Sequence, residues 1–161
     1  MAIFFTSDNH FGHHNIIAYC GRPFKNVDHM DRVMIENWNS IVKPEDTVFH
    51  LGDMAFHKKV PQYIEQLNGN IIWVKGNHDK SKDVLIREMI IKYGGREWTL
   101  IHDPAFTMAN NVICGHVHEK WKIRLIKDRT IVNVGVDVWD FKPIQMTDIL
   151  KRIAQAQREE K

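Results

Sequence analysis

Five short apolar runs in this sequence, AIFFTS, TVFHLG, NIIWVKG, WTLI and NVICG, each lead within a few residues into a histidine, an aspartate or an asparagine. The first leads to Asp8 and His10, the second to Asp53, and the third to Asn77 and His78. The fourth leads to His102, and the fifth to His116 and His118. The first three runs alternate with helical patterns. Met30, Val33, Met34, Trp38 and Ile41 recur at helix spacing over about residues 28 to 42, and VPQYIEQL opens on Pro61. Strands that alternate with helices pair in parallel, and such sheets bind ligands outside the carboxyl ends of their strands. Polar groups scattered from position 8 to position 118 are therefore expected to face one crevice.

A polar rim is the alternative, and it requires five coincidences. Imidazole and carboxylate groups at this density are the usual ligands of divalent metals. Gly52, Gly76 and Gly115 stand just ahead of these groups, where a residue without a Cβ turns most easily.

Later in the chain SKDVLIREMII reads as a helix and YGG as a turn into REWTLIH. WKIRLI and TIVNVGV, joined by KDR, read as a hairpin. MTDILKRIAQAQREEK reads as a closing amphipathic helix with Ile149, Leu150 and Ile153 on one side and a solvated charged face on the other. No repeat or linker interrupts the 161 residues, so one domain over 1–161 is expected. The 22 basic and 20 acidic residues leave a charge of +2, too weak a field to mark a nucleic-acid or membrane-surface binder. Stable nucleic-acid binding and membrane association are thus not expected, and the oligomeric state is left open. Cys20 and Cys114 form no CxxC pair, which argues against a zinc ribbon or disulfide scaffold and suits reduced thiols in the cytoplasm. No apolar stretch approaches the about 18 residues of a membrane span, and no targeting segment is visible.

The blocks DNH at 8–10, GD at 52–53, GNHD at 76–79, HDP from His102 and GHVH at 115–118 resemble, in content and order, the calcineurin-like metallophosphoesterase superfamily. HFGHHNI, YCGRPF and WNS are similar to a compact, single-domain, phosphodiesterase-like branch of it. The resemblance implies a four-layer α/β/β/α sandwich of two mixed sheets flanked by helices, with a dinuclear metal site at the strand C-terminal ends. Carried over by position, Asp8, His10 and His118 hold one ion, Asn77, His102 and His116 the other, and Asp53 bridges both. His78 matches the family's non-ligating catalytic histidine, and Asp79 either orients it or caps a following helix. The implied reaction is hydrolysis of a small or nucleotide-derived phosphate ester by a metal-bridging hydroxide. His78 would then protonate the leaving oxygen or hold an equatorial phosphate oxygen.

An all-oxygen and nitrogen ligand set suits two divalent ions, Mn2+ first, with Fe, Zn2+, Co2+ or Ni2+ acceptable. A phosphodiester is the leading substrate; phosphomonoesterase and nuclease activity on the same site, and a non-catalytic scaffold, are the alternatives. MAFHKK after Asp53 lacks the GDxVDRG form and disfavours a phosphoprotein phosphatase, and NVGV at 133–136 departs from the NPGS of many bacterial phosphodiesterases. Asn77, His13, His14 and Arg22 are the candidate substrate contacts, with Lys58 and Lys59 as further phosphate contacts. His13 and His14 are surplus to seven ligands, and His14 with Asn15 could instead cap a short helix at IIAYC. Phe11, Phe56 and Trp139 are rings for a base or for the core.

Overall fold

In the computed structural model, which describes residues 1–56, 60–79 and 84–159, the first three apolar runs become parallel strands. β1 (Ile3–Thr6) pairs with β2 (Thr47–His50), and β2 with β3 (Asn70–Trp73). The chain between β1 and β2 forms α1 (Ile16–Tyr19) and α2 (Val27–Asn39), and that between β2 and β3 forms α3 (Val60–Ile64). The Asn26 side chain accepts the His29 N–H and so starts α2. From there Met30, Met34 and Trp38 repeat every four residues on one face. They bury against Phe4 and Val48 of the sheet and Tyr63 of α3.

The second sheet is built from β4 (Glu88–Tyr93), β5 (Arg96–Ile101), β6 (Asn111–Cys114), β7 (Ile123–Ile126) and β8 (Arg129–Asn133), in the order β4-β5-β6-β8-β7. β5, β6 and β8 run parallel, with an antiparallel strand at each edge. β9 (Ile144–Gln145) then returns antiparallel to β1 and passes directly into α4 (Met146–Glu159).

The two sheets meet through one apolar cluster: Phe5 and Phe49 from the first, Trp98, Leu100, Ile113 and Val132 from the second, and Met146, Ile149 and Ile153 from α4. Each such side chain contributes roughly 1.5–3 kcal/mol on burial, so the strand ends stand on a stiff base. The helices flank the pair unequally. α2 and α3 cover the first sheet, α4 joins the shared cluster, and the far face of the second sheet carries Ile101, Val112 and Ile131 with Ala109 and Trp121.

The expected helix at SKDVLIREMII is not formed. Residues 80–83 lie outside the described residues, 84–87 have no regular structure, and Glu88–Tyr93 is a strand with side chains alternately exposed and half-buried. The cause is Gly94–Gly95, both at positive φ (59° and 73°), a two-residue turn that sets Tyr93 opposite Arg96 and folds the chain back as a hairpin. Among the described residues no helix is long and apolar enough to cross a membrane.

Candidate metal centre

The loops that leave the strands are laced together before any ligand is considered. Asp8 N–H donates to Gly52 O and His10 N–H to Asp53 O, both at 3.0 Å, so the β1 and β2 exits are held side by side. Asp8, His10, Asp53, His116 and His118 adopt φ of 57°, 50°, 56°, 71° and 48°, the left-handed region that side chains rarely occupy. Five of the six His and Asp residues expected as ligands thus sit in strained turns, as functional residues often do.

These turns aim two groups of side chains at one carboxylate. Asp53 Oδ2 lies 3.5 Å from His10 Nε2 and 3.4 Å from His102 Nε2. On one side His10 Nε2 and His118 Nε2 lie 4.0 and 3.9 Å from Asp8 Oδ1. On the other, Asn77 Oδ1 is 2.8 Å from His102 Nε2 and 3.1 Å from His116 Nδ1. Asp8, His10 and His118 offer one atom each within 4.8 Å of one another, as do Asp8, Asp53 and His102. Asp8 Oδ1 and His10 Nε2 are buried and have no hydrogen-bond partner among the described residues. Buried polar atoms are normally partnered, and a cation would satisfy both. The residues present therefore fit divalent ions of the oxygen-and-imidazole type.

The electrostatics agree with that donor set. Burial keeps His10 neutral, with a pKa of about 3 despite Asp53, so its approach to Asp53 is not an ion pair. Burial opposes protonation of His102 and His118 too, but carboxylates outweigh it. Asp53 and Asp8 raise His102 to about 9; the Asp137 hydrogen bond, with Cys20 and Asp8, raises His118 to about 10. Burial works against the Asp53 carboxylate, yet the His102 hydrogen bond and neighbouring charges hold it at about 2. Burial pushes Asp8 up.

His78 is exposed at the rim. Its N–H donates to Asp53 Oδ1 at 2.9 Å and its ring stands 5.6 Å from that of His10. Asp79 is buried and accepts from Asp53 N–H, Met54 N–H, Gly76 N–H and the Trp73 indole, at 2.8, 3.2, 2.7 and 3.1 Å. It therefore ties the β2 exit to the β3 exit. Of the two roles expected of Asp79, these bonds bear on positioning the loop that carries His78, and a helix for it to cap would begin outside the described residues.

The expected role of Arg22 is corrected. The guanidinium is buried and all five donors are committed: Nε and Nη2 to Asp137, Nη2 to Asp8 O, and Nη1 to Asn9 O and Met30 Sδ. No donor remains for a substrate phosphate. Lys58 and Lys59 lie outside the described residues. His13 is half-buried with its ring 5.7 Å from that of His10, whereas His14 is exposed. Asn15 occupies the cap position of α1 without a side-chain capping bond. Phe11 and Trp139 are buried in the core, and Phe56 is exposed.

Three residues here were not anticipated. Asp137 accepts from His118 Nδ1, Asp103 Oδ2 lies 3.5 Å from His116 Nε2, and His50 is buried beneath the site with Nε2 2.9 Å from Asn9 Oδ1. Asp137 follows TIVNVGV, so the strand-exit pattern that picked out the other candidate residues extends to it. Asn133, where NVGV departs from NPGS, donates to His118 O and Trp121 O and so shapes the loop that carries His118.

The fold is a mixed α/β pair of sheets with a candidate metal centre at the strand exits. The chain matches the calcineurin-like phosphoesterase superfamily domain over residues 1–147 and belongs to that family. An uncharacterized protein of Methanocaldococcus jannaschii is 38% identical over 162 residues, covering 94% of this chain and 90% of its own. A protein of unknown function from Aquifex aeolicus superposes with a TM-score of 0.75 at 30% identity, covering 93% of this chain and 98% of that one. Vps29 from Entamoeba histolytica, crystallised with Zn2+, shares the fold at a TM-score of 0.53 and 18% identity, over 84% of this chain and 74% of its own.

Proposed function

We propose that this protein is a metal-dependent phosphodiesterase acting on small or nucleotide-derived esters. The observation that carries the reading is the position of Asp53 Oδ2, 3.5 Å from His10 and 3.4 Å from His102, one histidine from each of the two expected ligand sets. Asp8, His10 and His118 would hold one ion and Asn77, His102 and His116 the other, with Asp53 shared. Divalent ions so held supply neutralisation of the phosphate charge and activation of water near neutral pH. Mn2+ is the first choice, and the Zn2+ bound by the Entamoeba protein supports a divalent ion on this fold.

The chain's own residues do the rest. Asp79 fixes the Asp53 and Asn77 loops relative to each other, and the Arg22–Asp137 pair fixes His118. His78, exposed at the rim, is placed to protonate the departing oxygen or to hold a phosphate oxygen. A non-catalytic scaffold would need none of this, yet all seven ligand positions and His78 are filled. The partner in this reading is a small phosphate ester rather than a membrane or a stably bound nucleic acid.

The test strips the purified chain with a chelator, restores Mn2+ or Zn2+, and follows bis-p-nitrophenyl phosphate and p-nitrophenyl phosphate in parallel. Metal-dependent turnover favouring the diester and lost in Asp53→Asn is expected. Faster turnover of the monoester would make the protein a phosphomonoesterase, and no turnover of either would return it to the scaffold class.

A further inference from the structure

Burial is the usual fate of an aromatic ring, and this chain largely obeys it. Of its five tryptophans, three tyrosines and eight phenylalanines, Tyr19, Phe56 and Phe106 alone stand exposed, at 72%, 43% and 80%. Phe106 lines a groove shared with one expected ligand set, whereas Tyr19 and Phe56 approach the other through His13. Tyr19 and Phe56 meet the ring of His13 at 6.4 and 5.1 Å between centroids, and His13 stands edge-on to His10 at 5.7 Å. Phe106 ends the short 3-10 turn Pro104–Phe106, which Asp103 caps through Ala105 N–H. It lines a groove of about 480 Å3 together with Asn77 and His102 of the second group.

Rings kept in water beside a phosphoester site gain most from a flat, partly apolar partner, and stacking on a nucleobase provides it without regard to base identity. The groove around Phe106 also carries Lys75 and Arg87 alongside Glu88 and Asp103. That mixture of signs suits a polar, neutral nucleoside better than an apolar or strongly anionic group. Its volume is within the about 300–1,000 Å3 of ordinary small-molecule sites. A phosphomonoester has one organic arm; a diester has two, which leave phosphorus in different directions.

We infer that the substrate is a phosphodiester joining two nucleosides, one base stacked on the Tyr19–His13–Phe56 wall and the other on Phe106 in the groove beside Asn77 and His102. The inference rests on the phosphodiesterase reading and narrows it to a substrate class.

The experiment compares four diesters of identical linkage: thymidylyl-thymidine, the two analogues in which one base is replaced by hydrogen, and the analogue lacking both. With the metal-loaded protein, removal of either base is expected to lower kcat/KM about tenfold or more. Phe106→Ala should abolish sensitivity to one base, and the double variant Tyr19→Ala, Phe56→Ala should abolish sensitivity to the other. Equal kcat/KM for all four diesters, or variants that lower all four by the same factor, overturns the inference and leaves the phosphodiesterase reading standing. Calorimetry with thymidylyl-thymidine and the doubly abasic diester separates the remaining cases. A protein that hydrolyses neither but binds the dinucleoside at least tenfold more tightly retains both stacking sites while the hydrolase reading falls. Equal affinity for the two overturns the inference on its own.

Discussion

His118 Nδ1 lies 3.1 Å from Asp137 Oδ2, and Arg22 grips the same carboxylate through Nε at 2.8 Å and Nη2 at 3.0 Å. The bond settles which ring nitrogen of His118 is left facing Asp8, as the outer partner of a ligating imidazole does. Asp137→Asn is expected to weaken the binding of an ion at Asp8, His10 and His118 by about 10- to 100-fold. It also leaves the buried Arg22 charge uncompensated, a loss of about 3–5 kcal/mol. Metal titration by calorimetry and melting of the chelated protein read the two effects separately. A lower Tm with unchanged metal affinity would show that Asp137 supports the fold alone.

Metal binding should release protons. In the metal-free protein His102 and His118 stay protonated up to about 9 and about 10, because nearby carboxylates outweigh the burial that opposes their charge. An entering cation must displace those protons, so affinity rises with pH between about 7 and 10 and falls on acidification. Calorimetry at pH 7 in buffers of different ionisation enthalpy counts the protons, and a count near zero contradicts the prediction.

Gly76→Ala should empty the centre without replacing a ligand. A Cβ at Gly76 would collide with Asp53 Oδ1 and with the Asp53 backbone nitrogen, both part of the same turn. Displacement of Asp53 removes the carboxylate shared by the two groups. Metal analysis of the purified variant should show both ions weakened together, and loss of one with retention of the other argues against a shared Asp53.

His78→Ala should retain metal and lose rate. The side chain is exposed and its tie to the site is a backbone N–H, so ligation is expected to survive the change. A loss of about 10²- to 10⁴-fold is expected with alkoxide leaving groups, and a smaller one with p-nitrophenolate, which departs without a proton. Equal losses for both would rule out general acid catalysis by His78.

Acid should destabilise the chelated protein in a window set partly by His50. Burial lowers its pKa to about 3 although Asp53 pulls the other way. The unfolded chain therefore takes up a proton below the ordinary value of 6.5 while the folded chain does not. This contribution is complete above pH 6.5 and is lost toward pH 3, at about 1.4 kcal/mol per pH unit. His50→Gln keeps a donor for Asn9 and removes the titration. Urea melts at pH 7, 6 and 5 should give a shallower slope for the variant, and an identical slope would assign the acid sensitivity elsewhere.

What could be read from the sequence followed the strength of the local signals. β1, β2 and β3 are apolar runs that end at polar or glycine-containing loops, and α2 carries a four-residue repeat of large side chains, so each was legible. β4 was not, because EMII continues a run of helix-compatible residues and the deciding information lies in Gly94–Gly95, beyond the strand. β9 is two residues long and has no period at all. The residues that meet in the candidate centre were legible since each follows a strand exit. Arg22 was misread because its environment is tertiary: the Asp137 that neutralises it is 115 residues away.

The last strand has a consequence for synthesis. The seven candidate ligand side chains have all been translated once residue 118 is made, but β1, which leads into Asp8 and His10, has β9 as its neighbour on the side away from β2. The carboxylate that orients His118 comes at position 137, and α4, which closes the apolar cluster between the sheets, begins at Met146. A nascent chain of 118 residues therefore carries every candidate donor before β9, Asp137 and α4, which hold them in place, have been made.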